Sequence, residues 1–147
     1  MKFHYPYQKI VDLKSSEKTQ AEWLLSAAIG KLQAEELSLE QLLEQRAIWT
    51  RRIQEAAETA VPLAELQLIQ TYLDALDARI SRKTAEVREA RQAVDRSRSH
   101  LTDKMKDEKV WMKAKDRAFD QFRSAGLKRE QNELDDMATA RFVMAAR

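Results

Sequence analysis

The chain has no cysteine, and its 147 residues include only two glycines, two prolines and two histidines. Without thiols it forms neither disulfides nor thiolate metal sites, which is compatible with a reducing compartment. With so few glycines and prolines there are few places to turn, so a fold of many short elements is excluded. Gly30 and Gly126 each stand alone, which rules out a glycine-rich phosphate loop. No apolar run approaches the roughly 20 residues of a membrane span, and the opening MKFHYPYQKIVDLK lacks a signal-peptide core. The expectation is a cytoplasmic chain. Nothing marks an active site. His4 and His100 read as incidental surface residues rather than ligands or catalysts, and no metal or cofactor is expected.

What the chain does have is a long 3-4 recurrence of apolar residues. Leu25, Ala28, Leu32, Leu39, Leu42, Trp49, Ile53 and Ala56 share one a/d register. Leu66, Ile69, Leu73, Leu76, Ile80, Val87, Ala90, Val94 and Leu101 share a second. A spacing held over about five heptads is that of a coiled coil. The two registers are separated at Pro62. The predicted fold is all-α: one antiparallel two-helix coiled-coil hairpin spanning residues 1–147. Helix 1 is expected over about 7–57, the turn over about 57–63 and helix 2 over about 63–140. Residues 1–6 should be non-helical or frayed because Pro6 disfavours helix at Tyr5. Pro62 suits the first position of helix 2. Charged residues at 34% against 7% aromatics fit long solvated helices better than a compact core.

Finer expectations follow. Ile10, Leu13 and Leu24 are out of phase with Leu25, which predicts a stutter near residues 21–25. Beyond Leu101 the stripe should continue in a shifted phase through Met105, Met112 and Phe119. With the turn near residue 61, facing residue numbers add to about 122, so helix 2 overhangs helix 1 by roughly 25 residues, or about 37 Å. The tail, residues 121–147, is then left without an intramolecular partner. It still carries Phe122, Leu127, Leu134, Met137, Phe142, Val143 and Met144, so it either frays or docks on another protein.

Polar residues within the seam are the next feature. Glu35, Arg46, Lys83 and Ser97 fall at a/d positions, and Glu35 and Lys83 should lie within about one turn of each other. They either pair to fix the register or extend their ends to water. Trp49 should face Tyr72 near the turn, as a binding anchor or as flanking packing. Residues 33–58 hold six acids and three bases, a net of −3; residues 91–117 hold nine bases and five acids, a net of +4. The basic stretch reads as a solvated face or a surface for an acidic protein, and it lacks the aromatic interleaving of a nucleic-acid binder.

Three segments together carry a resemblance. They are Phe3-x-Tyr5-x-Tyr7-x-x-Ile10-Val11-x-Leu13-Lys14, then Glu65-Leu66-Gln67 through Tyr72, Leu73 and Leu76, then Arg129-Glu130-Gln131-x-Glu133-Leu134-Asp135-Asp136-Met137-Ala138 followed by Phe142. In order and spacing they resemble flagellar type III export proteins of the FliJ family. The resemblance implies a non-enzymatic stalk that binds the hexameric flagellar export ATPase and an export-gate membrane protein, and that escorts export chaperones. It implies work at the cytoplasmic face of the inner membrane, held there through the export apparatus without membrane insertion. The positions matching the family's gate-contacting stretch are Leu42, Trp49, Tyr72 and Leu76, whereas Gln45, Arg79 and Lys83 depart from it. ATPase binding would fall to Phe122, Leu127, Leu134, Met137 and Phe142. The rival readings are a generic coiled-coil scaffold and a chaperone escort.

Overall fold

In the computed structural model, which describes residues 2–146, two helices hold nearly the whole chain: α1, Gln8–Glu58, and α2, Leu63–Ala145. No strand occurs among the described residues. The chain forms two compact units. The turn unit is Gln20–Thr102, and the terminal unit joins the N-terminal stretch up to Thr19 with the stretch from Asp103 onward.

In the turn unit the helices run antiparallel, with Trp49 facing Tyr72, Glu35 facing Lys83 and Glu36 facing Arg91. The buried residues are those of the 3-4 registers: Ala21 and Leu42 on α1, and Leu73, Leu76, Val87, Ala90 and Val94 on α2. Burying a leucine such as Leu76 stabilises by about 2 kcal/mol. Small residues at Ala21 and Ala90 alternate with branched ones, which is how a two-helix seam fills without a third layer. Lys83 donates to Glu35 at 2.9 Å and to Glu86 at 2.7 Å, so the polar seam pair forms. The bonds to Glu86 and Glu35 raise the Lys83 pKa, and the same ammonium lowers that of Glu86.

Local chemistry ends α1 and starts α2 within four residues. Glu58 is the last residue of α1, and Ala60 turns the chain with a left-handed backbone, φ 51°. That conformation is the usual way to stop a helix, though glycine normally supplies it. Pro62 lies one residue before α2, where its carbonyl accepts from the Glu65 amide at 3.0 Å and the Leu66 amide at 3.4 Å. It therefore caps the helix from outside rather than occupying its first position. Glu65 puts a carboxylate in the first turn, favourable to the helix dipole.

The terminal unit is also antiparallel, with Tyr7 against Trp111 and Lys18 against Glu108. Here the sequence reading needs two corrections. There is no stutter: Val11 and Ala21 are buried, while Leu13 and Leu24 are 54% and 58% exposed. The count runs Val11, Lys14, Lys18, Ala21, Leu25 without a break, but lysines at two of its positions hide it. The stripe after Leu101 does not shift either. Met105, Met112 and Phe119 are 52%, 47% and 45% exposed, and the less exposed positions are Lys104, Glu108, Trp111 and Lys115. The N-terminal segment is non-helical up to α1, as expected, and it is packed. Tyr5 is 8% exposed, and Phe3 lies 5.2 Å from Phe119 and 5.4 Å from Phe122, ring centre to ring centre.

In this unit ion pairs take the place of leucines between the helices. Lys18 donates to Glu108 at 3.0 Å, and Lys104 donates to Glu17 at 3.4 Å. The Ser15 hydroxyl and Lys18 hold the Glu108 carboxyl below the ordinary range. Partial burial pushes the Glu17 carboxyl up, but Lys104 and Lys14 together outweigh that and lower it. α2 continues as helix to Ala145, and every described residue after Gly126 is exposed.

Candidate partner-binding surfaces

No helix among the described residues is long and apolar enough to cross a membrane, and no cluster of potential metal ligands occurs among them. The chemistry on offer is that of apolar surface, and it is concentrated in two places.

The first lies on the turn unit. The indole of Trp49 and the ring of Tyr72 are 4.8 Å apart at 58°, and the Arg52 guanidinium sits 4.6 Å from the Trp49 ring centre. Leu68, Ile69, Thr71 and Ala75 complete an open apolar depression around the two rings. Leu68 is 72% exposed and Tyr72 39% exposed, so the surface is available to a partner. Leu42 and Leu76, grouped with these rings from the sequence, sit instead in the buried seam at 6% and 1% exposure, where they hold the two helices together. Sequence reasoning missed Leu68 and Arg52. Leu68 lies one turn before Tyr72, and Arg52 three residues after Trp49, the spacings that place side chains side by side on a helix.

The second surface lies on the terminal unit. Leu127, Leu134 and Met137 are 59%, 61% and 61% exposed. At about 100° per residue they fall on one face of α2. Phe122, named with them, does not join that face. Phe122 turns toward Phe3, so it belongs to an intramolecular aromatic cluster and is not part of an unpartnered tail. Phe142, 74% exposed, lies about 60° from Leu127, on the side away from Met137. The cluster of Phe3, Tyr5, Tyr7, Trp111, Phe119 and Phe122 was not foreseen as a unit. Its signal was the alternation of aromatics in Phe3-x-Tyr5-x-Tyr7, a pattern that lets an extended segment lay rings along a helix.

Both units are antiparallel helix pairs with large apolar side chains exposed on a highly charged surface. The family model for the flagellar FliJ protein matches residues 2–147, and the chain belongs to that family. It is therefore a coiled-coil protein associated with type III export. Among solved structures, the chain is similar to a Chlamydia trachomatis protein described as a YscO homolog. The TM-score is 0.58, with 16% identity over 94% of each chain, a likeness of fold. No curated protein matches the sequence.

Proposed function

We propose that this FliJ-family chain is a non-enzymatic coupling protein of flagellar type III export. It engages the hexameric export ATPase through the apolar face of the terminal unit, and the export-gate membrane protein through the Trp49–Tyr72 surface. It works at the cytoplasmic face of the inner membrane through these partners. The observation that carries the reading is the exposure of Leu127, Leu134 and Met137 on an ordered helix beyond the aromatic cluster. A helix that keeps large apolar side chains in water over several turns is supported best by a partner that covers them. The Trp49–Tyr72 pair, with a cation over one ring, has the composition of an interface hot spot.

The test separates the two surfaces. Removing residues from Leu127 onward is expected to weaken ATPase binding and stimulation while the turn unit stays folded. Trp49→Ala with Tyr72→Ala is expected to weaken gate binding, by about 2 kcal/mol or more, and to leave ATPase turnover nearly unchanged. Pull-downs with each partner and turnover assays read both. A tail deletion that stimulates the ATPase like the full chain, or a ring double mutant that loses both activities, would sink the assignment.

A further inference from the structure

Two arginines beside the seam of the turn unit have no acid to answer them. Arg46 pairs with Asp77, Arg91 with Glu36, and Lys83 with Glu35 and Glu86. Arg79 and Arg82 are exposed, and neither forms a hydrogen bond or ion pair among the described residues. They line a groove between the helices, with Leu42 and Ser38 contributed by α1.

This groove lies on the same side of α2 as the ring depression. Leu68, Tyr72, Ala75, Arg79 and Arg82 follow one another at steps of four and three residues, which places them within about 80° around the helix. The first three line the depression beside Trp49, and the two arginines line the groove. From the level of Tyr72 to midway between the arginines is about 13 Å along α2. The side is thus apolar toward the turn and cationic away from it.

Carboxylates bound it at both ends. Glu65 precedes Leu68 by about one turn, and Glu86 and Glu89 follow Arg82 by one and two turns. A nucleic acid or an anionic bilayer presents continuous negative charge and would meet those carboxylates. A short segment with one apolar end and a few carboxylates at the other would not. The planar donor fork of arginine suits a carboxylate in two parallel hydrogen bonds.

We propose that this side of the turn unit takes an acidic peptide segment of a partner protein. Its apolar side chain enters the depression at Trp49 and Tyr72, and its carboxylates lie on Arg79 and Arg82. The proposal rests on the reading of the ring surface as the gate site, and it names the chemistry that the gate must present there.

The full chain is panned against phage-displayed peptides of random sequence, and peptides that also bind the Trp49→Ala, Tyr72→Ala chain are removed. Those that remain are expected to carry an aromatic residue or leucine together with at least two Asp or Glu. By fluorescence anisotropy, Arg79→Gln with Arg82→Gln should weaken the labelled peptides at least tenfold and abolish the salt dependence of their binding. Arg79→Lys with Arg82→Lys should keep most of the affinity, and Arg88→Glu, outside the groove, all of it. A library that yields no peptide dependent on the two rings overturns the proposal. So do selected peptides without acids, or undiminished binding to the double Gln variant. Binding of the wild-type chain, but not of that variant, to phosphatidylglycerol vesicles would overturn it in favour of a membrane. The export-gate protein is then measured against the same variants. If the peptides require the arginines but the gate protein does not, or does not bind at all, the gate reading fails and the preference of the groove stands.

Discussion

Ala60 is the residue whose chemistry fits its backbone least. With φ at 51° it is the only described non-glycine residue in the left-handed region, and its Cβ is crowded there against its own carbonyl. Nothing in a side chain compensates for this at alanine, as an asparagine could. Ala60→Gly is therefore expected to stabilise the chain, by up to about 1 kcal/mol, visible as a raised thermal midpoint in circular dichroism. An unchanged or lowered midpoint would show that the turn is not under this strain. Leu76 is the opposite case, a residue whose chemistry and place agree fully, at 1% exposure. Leu76→Asp removes a buried leucine and forces a carboxylate between the helices, which should cost on the order of 3 kcal/mol or more. Glu58→Ala, at the exposed end of α1, is the control. Equal melting of the two variants would mean that the seam has been placed on the wrong face.

At the scale of the element, each helix changes the material of its seam without changing its count. Between Gln20 and Thr102 the inward positions are mostly Leu, Val, Ile and Ala, joined by the network of Lys83, Glu35 and Glu86 and by the Arg46–Asp77 and Arg91–Glu36 pairs. In the terminal unit they include Lys18, Lys104 and Glu108, and the contacts are ion pairs. A carboxyl whose folded pKa is depressed contributes stability that is complete above its ordinary value near 4.5 and is lost as pH falls through the depressed value. Glu17 and Glu108 in the terminal unit and Glu86 in the turn unit are all of this kind, so acid should loosen both, and the terminal unit first, because the turn unit keeps its apolar seam. Amide exchange along residues 8–19 is the measurement. It should speed up, relative to residues 66–94, between neutral pH and about pH 3 after correction for intrinsic rates. With Glu108→Gln the acid effect should shrink, since part of it has already been given up. If both segments respond alike to acid, the ion pairs contribute nothing measurable, as exposed pairs often do not.

For the molecule as a whole, the hairpin was legible because leucine spacing and one proline carry most of the information that two antiparallel helices need. Positions across the turn were legible for the same reason, which is how Trp49 with Tyr72 and Glu35 with Lys83 were found. What was not legible lies where polar residues take inward places. Hydrophobic periodicity follows Leu13, Leu24, Met105 and Met112, whereas the packing follows Val11, Lys18, Lys104 and Glu108. A lysine reads as surface in a sequence, yet its long apolar stem fits a seam position when a carboxylate waits across it. The N-terminal arm was missed because an extended segment has no helical period to detect. Its rings dock on α2 through contacts that only the fold brings together.

That arm has a consequence for observing the protein. The three tryptophans occupy three different surroundings: Trp23 is 70% exposed, Trp49 lies beneath the Arg52 guanidinium, and Trp111 has the Tyr7 ring 6.2 Å away. The chain thus contains its own optical labels. Light absorbed by Tyr7, whose carbonyl caps the start of α1, passes to Trp111 most efficiently while the two rings stay together, so a fall in that transfer reports opening of the terminal unit. Emission from Trp49 follows the turn unit, and Trp23, already in water, serves as the constant against which the other two are read.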